Sequence, residues 1–265
     1  MEIFRDSVVA RNYDRAGELA TAVADYEVAV IEKHHGKDLY RSKGKSRGQI
    51  SFNDLTLEEN LMYIKHDLAD VQEAFHIFDI TKGNYSGAPD LPASLIQKIA
   101  TKTKKLDQSA VKIIDTNEYK AMLKSIQKNM GELSQRQFID TVFALGKMHK
   151  KSDALLDKTS FFHYFIGDIL KEVNKRVDNL TDSLEIAYLV KGLSNLNKKI
   201  SADPILTQYE NQVRENLLTH LNTRHELTAR FDPYSVSKTL RYLLAYNDTS
   251  DAAIEVYKSF ALLLT

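Results

Sequence analysis

The chain has 265 residues, of which 43 % are apolar, so it is long enough for one large domain or two ordinary ones. Its 36 basic residues balance 36 acidic ones, which argues against a protein that grips phosphates over its whole surface. It contains no cysteine, and this excludes disulfides, thiolate nucleophiles and cysteine-based zinc or iron–sulfur sites.

The spacing of apolar residues predicts an all-helical chain. Only four prolines and ten glycines interrupt it, and long segments carry apolar residues three and four positions apart. No alternating pattern typical of a strand occurs. The predicted helices lie at about 5–33, 55–80, 92–105, 108–129, 134–149, 154–177, 182–197, 204–223, 233–247 and 250–264.

Several predicted helices begin with recognisable caps. Asp203-Pro204 and Asp232-Pro233 each place a side-chain acceptor before a residue that lacks a backbone donor. Pro92, which follows Asp90-Leu91, is a looser case. Capping boxes are predicted at 56–59 and 182–185.

The N-terminal and membrane signals are weak. The first 27 residues carry six acids, unlike a transit or signal peptide, so an imported protein would have lost its leader or would lack it in this sequence. The best apolar run, FFHYFIGDIL, is too short to span a bilayer and contains His163 and Asp168. We therefore expect no transmembrane segment and leave peripheral membrane association open.

A pattern recurs in the second half of the chain. The segments ALGKMH, GLSNLN and YLLAYN align on Leu145, Leu193 and Leu243, which are 48 and then 50 residues apart. Each segment ends a predicted helix and precedes a polar turn and a second helix. A single helical hairpin cannot bury its apolar face, so such units stack. We predict an all-α fold of hairpin repeats stacked as a short α-solenoid, with an irregular helical bundle as the alternative.

The predicted organisation has three parts. Residues 1–54 form an N-terminal helix followed by a basic loop rich in glycine and lysine, and 55–130 form a helical region that is a candidate for degenerate repeats, with one hairpin at 55–105. The helical repeats then occupy 131–265, with units near 131–178, 179–226 and 227–265.

Over about 131–265 the leucine-rich hairpins ending in ALGKM or GLSNLN resemble the octotricopeptide, heptatricopeptide and FAST-kinase-like group of helical repeats. The resemblance implies an organellar protein, because members usually act in organellar RNA metabolism and related chains serve as structural subunits. The sequence departs from the RNA-binding members because it ends in a predicted helix without their α/β RAP domain and lacks their basic excess.

Two basic segments are candidates for contact with a partner or a nucleic acid. The first is the glycine-rich loop around SKGKS, where Leu39 stands in the place of the glycine that a phosphate-binding loop needs. The second ends the predicted helix at 92–105, where lysines could instead complement the helix dipole. The candidate residues are Lys37, Arg41, Lys43, Lys45, Arg47, Lys102, Lys104 and Lys105.

The helix predicted at 55–80 carries candidate metal ligands, although we expect no metal site. His66, Asp70, Glu73 and His76 fall at i, i+4, i+7 and i+10, so a continuous helix would bring four potential ligands to one face. The alternative is an ordinary polar face. The E-x-x-H pair at 73–76 would need a second copy on a facing helix, and none is found.

No serine or histidine pattern indicates a catalytic triad, so we expect neither catalysis nor a cofactor. The leading hypothesis is a non-catalytic helical-repeat scaffold, an accessory subunit of a large mitochondrial complex of the respiratory or ATP synthase type, whose partners are other protein subunits. The alternative is an organellar RNA-binding or RNA-processing factor, including a mitoribosome-associated protein. The mitochondrial location follows from the family resemblance.

Overall fold

The computed structural model describes residues 55–68, 70–81, 90–103, 112–150, 161–246 and 250–263. Within these ranges all regular structure is helical and no strand occurs, which confirms the all-α prediction. Contacts divide the chain into a unit of residues 1–59 and a unit of residues 60–265. Only residues 55–59 of the first unit are described, so the predicted helix at 5–33 and the basic loop lie outside the described residues.

Residues 112–114 are helical, and a further eleven α-helices have both ends within the described residues and are numbered in chain order. They are α1 (Leu57–His66), α2 (Val71–Thr81), α3 (Leu91–Lys102), α4 (Asn117–Lys128), α5 (Gln135–His149), α6 (Phe161–Arg176), α7 (Ser183–Ile200), α8 (Pro204–Thr223), α9 (His225–Thr228), α10 (Pro233–Leu244) and α11 (Asp251–Leu263). Short 3-10 helices, Met130–Glu132 and Val177–Asn179, follow α4 and α6.

Most of the predicted caps form, but Asp90, before Pro92, makes no side-chain cap bond, and of the capping box predicted at 182–185 only the bond to Asp182 forms. Thr56 N–H donates to Glu59 Oε2 at 2.7 Å and Glu59 N–H donates to Thr56 Oγ1 at 3.3 Å, the reciprocal bonds of a capping box. Asp203 Oδ1 accepts from two backbone N–H groups at 2.8 and 3.1 Å. Asp232 Oδ1 does so at 2.9 and 3.1 Å, and Asp182 caps α7 through one such bond. These helix starts follow from residues within one turn of the cap.

The prediction of one helix over 55–80 is wrong, because the chain breaks between α1 and α2. Leu68 leaves the helical path and is 1 % exposed. Asp70 Oδ1 then accepts from the backbone N–H of Glu73 at 2.9 Å and starts a new helix. Burial of an apolar side chain and a new cap together outweigh the backbone hydrogen bonds of a continuous helix.

The predicted helix at 108–129 is interrupted, because residues 112–114 are helical but residues 115 and 116 are not. The helix α4 starts at Asn117, where the Thr116 hydroxyl accepts from the backbone N–H of Tyr119 at 3.2 Å. The sequence Thr-Asn-Glu is typical of a helix start. The apolar periodicity continues on both sides of it, and a prediction from periodicity alone therefore gives one helix. The start predicted at 154 for α6 lies outside the described residues, and α8 has the predicted bounds of 204–223.

The helices pack in two rows. In the first row α3 packs against α5, α5 against α7, and α7 against α10. In the second row α4 packs against α6, α6 against α8, and α8 against α11. Successive helices of the two rows form hairpin 1 (α3–α4), hairpin 2 (α5–α6), hairpin 3 (α7–α8) and hairpin 4 (α10–α11).

Hairpins 2, 3 and 4 lie within the ranges 131–178, 179–226 and 227–265, and the division of this part of the chain into repeat units stays a prediction. In the first half of the chain, the predicted hairpin at 55–105 covers α1, α2 and α3, of which α2 and α3 pack against each other, and α3 also pairs with α4 in hairpin 1. The helix α2 packs against both of them. Stacking of hairpins is thus observed, and a continuous solenoid stays a prediction.

The aligned leucines form the core between the rows. Leu145, Leu193 and Leu243 are each 0 % exposed. Ile169-Leu170 of α6 and Leu217-Leu218 of α8, which are also 48 residues apart, are buried as well. The repeat in the sequence is therefore a repeat of core positions.

The first row contains a close contact between two glycines. A Cβ atom added to Gly146 of α5 would lie 2.8 Å from Gly192 Cα. One added to Gly192 would lie 2.8 Å from the carbonyl oxygen of Val142 and 3.0 Å from Phe143 Cα. The obstacles are backbone atoms, which cannot rotate away, so α5 and α7 approach this closely only because neither residue has a side chain.

We expect Gly146→Ala and Gly192→Ala to lower the free energy of unfolding by about 1–3 kcal/mol each, because α5 and α7 must separate. The loss should appear although alanine favours a helix by roughly 1 kcal/mol over glycine. Urea unfolding followed by circular dichroism measures it.

Two other glycines are matched controls for this experiment. Gly131 has nothing within 4 Å of an added Cβ, and at Gly167 the nearest atom, a Leu206 methyl carbon, is 3.5 Å away. Alanine at either position should not lower the free energy of unfolding, and at Gly167, inside α6, it should raise it by up to about 1 kcal/mol. Equal losses at all four glycines would contradict the close-contact explanation.

Candidate functional site

The two rows differ in charge. The sequences of α3, α5, α7 and α10 contain nine lysine or arginine residues and two acidic residues. Those of α4, α6, α8 and α11 contain eight basic and seven acidic residues. A neutral chain therefore concentrates its positive charge on the first row, where it can attract a negatively charged partner.

Cations and aromatic rings alternate across three helices of this row. The Arg136 guanidinium of α5 lies 5.4 Å from the centre of the Tyr188 ring of α7. That ring is 5.2 Å from the ring of Phe143, centre to centre and tilted by 57°. The Lys191 ammonium lies 5.1 Å from the centre of the Phe143 ring. These distances are within the range of cation–π attraction.

The series continues onto α10. Lys191 Nζ donates a hydrogen bond of 3.2 Å to the Tyr234 hydroxyl and lies 5.7 Å from that ring centre. Lys238 lies 5.2 Å from the same centre. We call the six residues the ring–cation ladder: Arg136, Phe143, Tyr188, Lys191, Tyr234 and Lys238. It connects hairpins 2, 3 and 4 on one side of the first row.

The ladder remains accessible to a partner. Tyr234 is 39 % exposed, the Arg136 side chain is 50 % exposed, and Tyr188, Lys191 and Lys238 are partly exposed. Positive charge held over exposed rings can contact carboxylates or phosphates, while the ring faces and edges can contact planar groups.

Acidic groups at the Arg136 end limit the positive potential there. Arg136 forms an ion pair of 3.0 Å with Asp140. Burial, with the nearby Asp182 as a further cause, raises the pKa of Glu185. The end formed by Lys191 and Lys238 is therefore the more strongly positive part of the ladder.

The basic residues predicted as contacts are only partly within the described residues. Lys37, Arg41, Lys43, Lys45 and Arg47, together with Lys104 and Lys105, lie outside them. Lys102 is exposed in the last turn of α3. Its neighbour Lys98 donates to the backbone carbonyl of Lys65, at the end of α1, at 2.5 Å, so Lys98 stabilises the end of a different helix from its own.

The predicted metal-binding face is divided by the break between α1 and α2. His66 ends α1, Asp70 caps α2, and Glu73 and His76 lie within α2, so the four residues do not share one helix. No group of three or more His, Asp or Glu residues placed to hold a metal ion occurs in the described ranges.

Two tyrosines where hairpins 3 and 4 meet have buried hydroxyls. Tyr242 is 1 % exposed, and the Tyr246 hydroxyl is also buried. Both lie beside the buried carboxyl of Glu210. No sequence pattern predicts this cluster, because Glu210 lies 32 residues before Tyr242.

Comparison with known proteins gives no relative: no family model, no curated protein and no solved structure matches the chain. The resemblance to organellar helical repeats therefore stays a prediction. Among the described residues no helix combines the length and the apolar character needed to cross a bilayer.

The ladder should be energetically coupled across hairpins 3 and 4. In a double-mutant cycle of Lys191→Met and Tyr234→Ala, we expect a coupling free energy of about 0.5–1 kcal/mol, because both the hydrogen bond and the cation–π contact are lost. Denaturant unfolding of the four proteins measures it. As a control, Lys175→Met with Tyr234→Ala should show no coupling, since Lys175 pairs with Glu172 at 3.2 Å on α6.

Proposed function

We propose that the chain is a non-catalytic helical-repeat scaffold that binds an acidic surface of a partner protein along the first row. The observation that carries this proposal is the ring–cation ladder, which extends over three hairpins on the more positive side of a neutral protein. An extended partner could contact all three hairpins at once. Such a surface suits an accessory subunit of a large assembly, and the proposed setting, a mitochondrial complex, is supported by the family resemblance.

The composition of the ladder supports a protein partner. Aromatic residues and arginine are enriched in protein interfaces, and the partly buried rings provide contact area around the charges. The carboxylates at the Arg136 end could form ion pairs with basic groups of the partner. The surface would therefore select a partner that is mainly acidic and has a few basic groups.

A second candidate function is binding of single-stranded RNA. Rings beside cations could stack on bases while the cations contact phosphates, a combination that does not depend on sequence. This candidate is favoured by the same residues, so only binding experiments separate the two.

Charge reversal tests the scaffold proposal. Purification of the tagged chain from its native cells should recover other proteins in fixed stoichiometry, and the double variant Lys191→Glu, Lys238→Glu should recover at least about ten-fold less of them. The matched control is Lys171→Glu, since Lys171 also lies over a tyrosine, 5.1 Å from the Tyr209 ring centre, but on the second row. The proposal would be contradicted if the tagged chain were recovered as a monomer, or if both variants lost equal amounts of the copurifying proteins.

Salt dependence tests the RNA candidate. If Arg136, Lys191 and Lys238 each neutralise one phosphate, the dissociation constant for a single-stranded RNA of about 20 nucleotides should rise roughly 20-fold between 50 and 200 mM salt. An electrophoretic shift assay measures it, and the double variant should flatten the salt dependence. Absence of a shift at 50 mM salt removes this candidate and leaves the scaffold proposal intact.

A further inference from the structure

A buried polar cluster lies where hairpin 4 meets hairpin 3. Its centre is Glu210 of α8, which is 1 % exposed. Tyr242 of α10 and Tyr246, in the turn after α10, bring their hydroxyls next to it. The two tyrosine rings are 5.8 Å apart, edge to face.

The cluster is incompletely hydrogen-bonded. Glu210 Oε1 and the hydroxyl oxygens of Tyr242 and Tyr246 are all buried, and none has a partner at normal hydrogen-bond geometry. Buried polar atoms of this kind cost free energy, and a carboxylate costs far more than a neutral carboxyl group. The site therefore favours the protonated form of Glu210.

One positive group lies nearby. The guanidinium of Arg214, one turn along α8, stands 4.6 Å from the centre of the Tyr246 ring and acts on Glu210 through its charge. The groups that affect Glu210 are thus Arg214 on its own helix and the two tyrosines from hairpin 4. Among the described residues no charged group of α6, α7 or α11 contributes.

We propose that protonation of Glu210 controls how firmly hairpin 4 docks on hairpin 3, so that the cluster is a pH-sensitive latch. With the proton in place, a neutral carboxyl group packs between the tyrosines. Without it, a buried negative charge, only partly offset by Arg214, favours an open arrangement in which water reaches Glu210. Because α10 also carries Tyr234 and Lys238, opening would remove one end of the ring–cation ladder.

The direction of the pH effect follows from the electrostatics. Burial raises the pKa of Glu210 from its ordinary value of 4.5 to about 7, despite opposing effects from the tyrosine hydroxyls and Arg214. In the open state the carboxyl has its ordinary pKa and loses its proton first. Docking is therefore strongest below about pH 4.5 and weakens as the pH rises to about 7, above which it stays constant.

The cap of α10 does not interfere in this range. The Ser235 hydroxyl donates to Asp232 Oδ2 at 2.6 Å, and this bond with the backbone bonds lowers the pKa of Asp232 below 3.8. Asp232 therefore stays ionised between pH 5 and 8, so that a change confined to hairpin 4 in this interval reports on Glu210.

Amide hydrogen exchange at pH 5 and pH 8, corrected for intrinsic rates, tests the latch. We expect protection factors in α10 and α11 to fall by at least about ten-fold at the higher pH, while those of α5 and α6 change far less. The difference between 4.5 and about 7 sets an upper limit of roughly 300-fold. No fall in hairpin 4, or an equal fall in hairpin 2, would overturn the proposal.

Substitutions separate the latch from ordinary packing. Glu210→Gln should abolish the pH dependence in hairpin 4, and Glu215→Gln, an exposed control on the same helix, should preserve it. Tyr246→Phe removes a hydroxyl that favours the charged form, so the midpoint should move to higher pH. A midpoint that stays in place or moves down, or a pH dependence that survives in Glu210→Gln, would count against the cluster. The wild-type comparison stands even if a variant fails to fold.

Discussion

The close approach of Gly146 and Gly192 is the constraint on which the first row depends. At this point the backbones of α5 and α7 are in direct contact, since a Cβ on either residue would lie within 3.0 Å of the other helix. The closeness also brings Phe143 and Tyr188 into contact and places Lys191, the neighbour of Gly192, over the Phe143 ring. The ladder is thus a consequence of how closely two helices can pack, as well as of its own side chains.

The separation of charge between rows follows from the same arrangement. The chain is neutral, and nothing along its length indicates which helices will be neighbours. Stacking brings every second long helix of the hairpins into one row, and these helices contain most of the excess lysine and arginine. A surface with a partner preference can therefore arise in a protein whose net charge gives no sign of it.

Two of the polar contacts that hairpin 4 makes with hairpin 3 differ in solvent exposure. The contact of Lys191 with Tyr234 lies near the surface. A charge there loses little hydration free energy, and its contact with the ring adds only modestly to stability. The cluster of Glu210, Tyr242 and Tyr246 is buried, where the same change in charge costs much more. The buried contact is consequently the one whose strength depends on protonation, and the exposed contact is the one that a partner could reach.

The sequence by itself determined the helical class, most helix starts and the core positions. Asp203 and Asp232 cap the helices that begin at the next residue, so the pattern that predicts these starts spans only a few residues. The core leucines, Leu145, Leu193 and Leu243, recur once in each repeat. The tertiary structure decided the rest. The importance of Gly146 comes from its contact with Gly192, 46 residues later, which no pattern in the sequence predicts. The break at Leu68, the ladder and the surroundings of Glu210 likewise depend on which distant helices meet. Capping acts within a single turn, but close approach, burial and charge pairing are set only when separate helices pack.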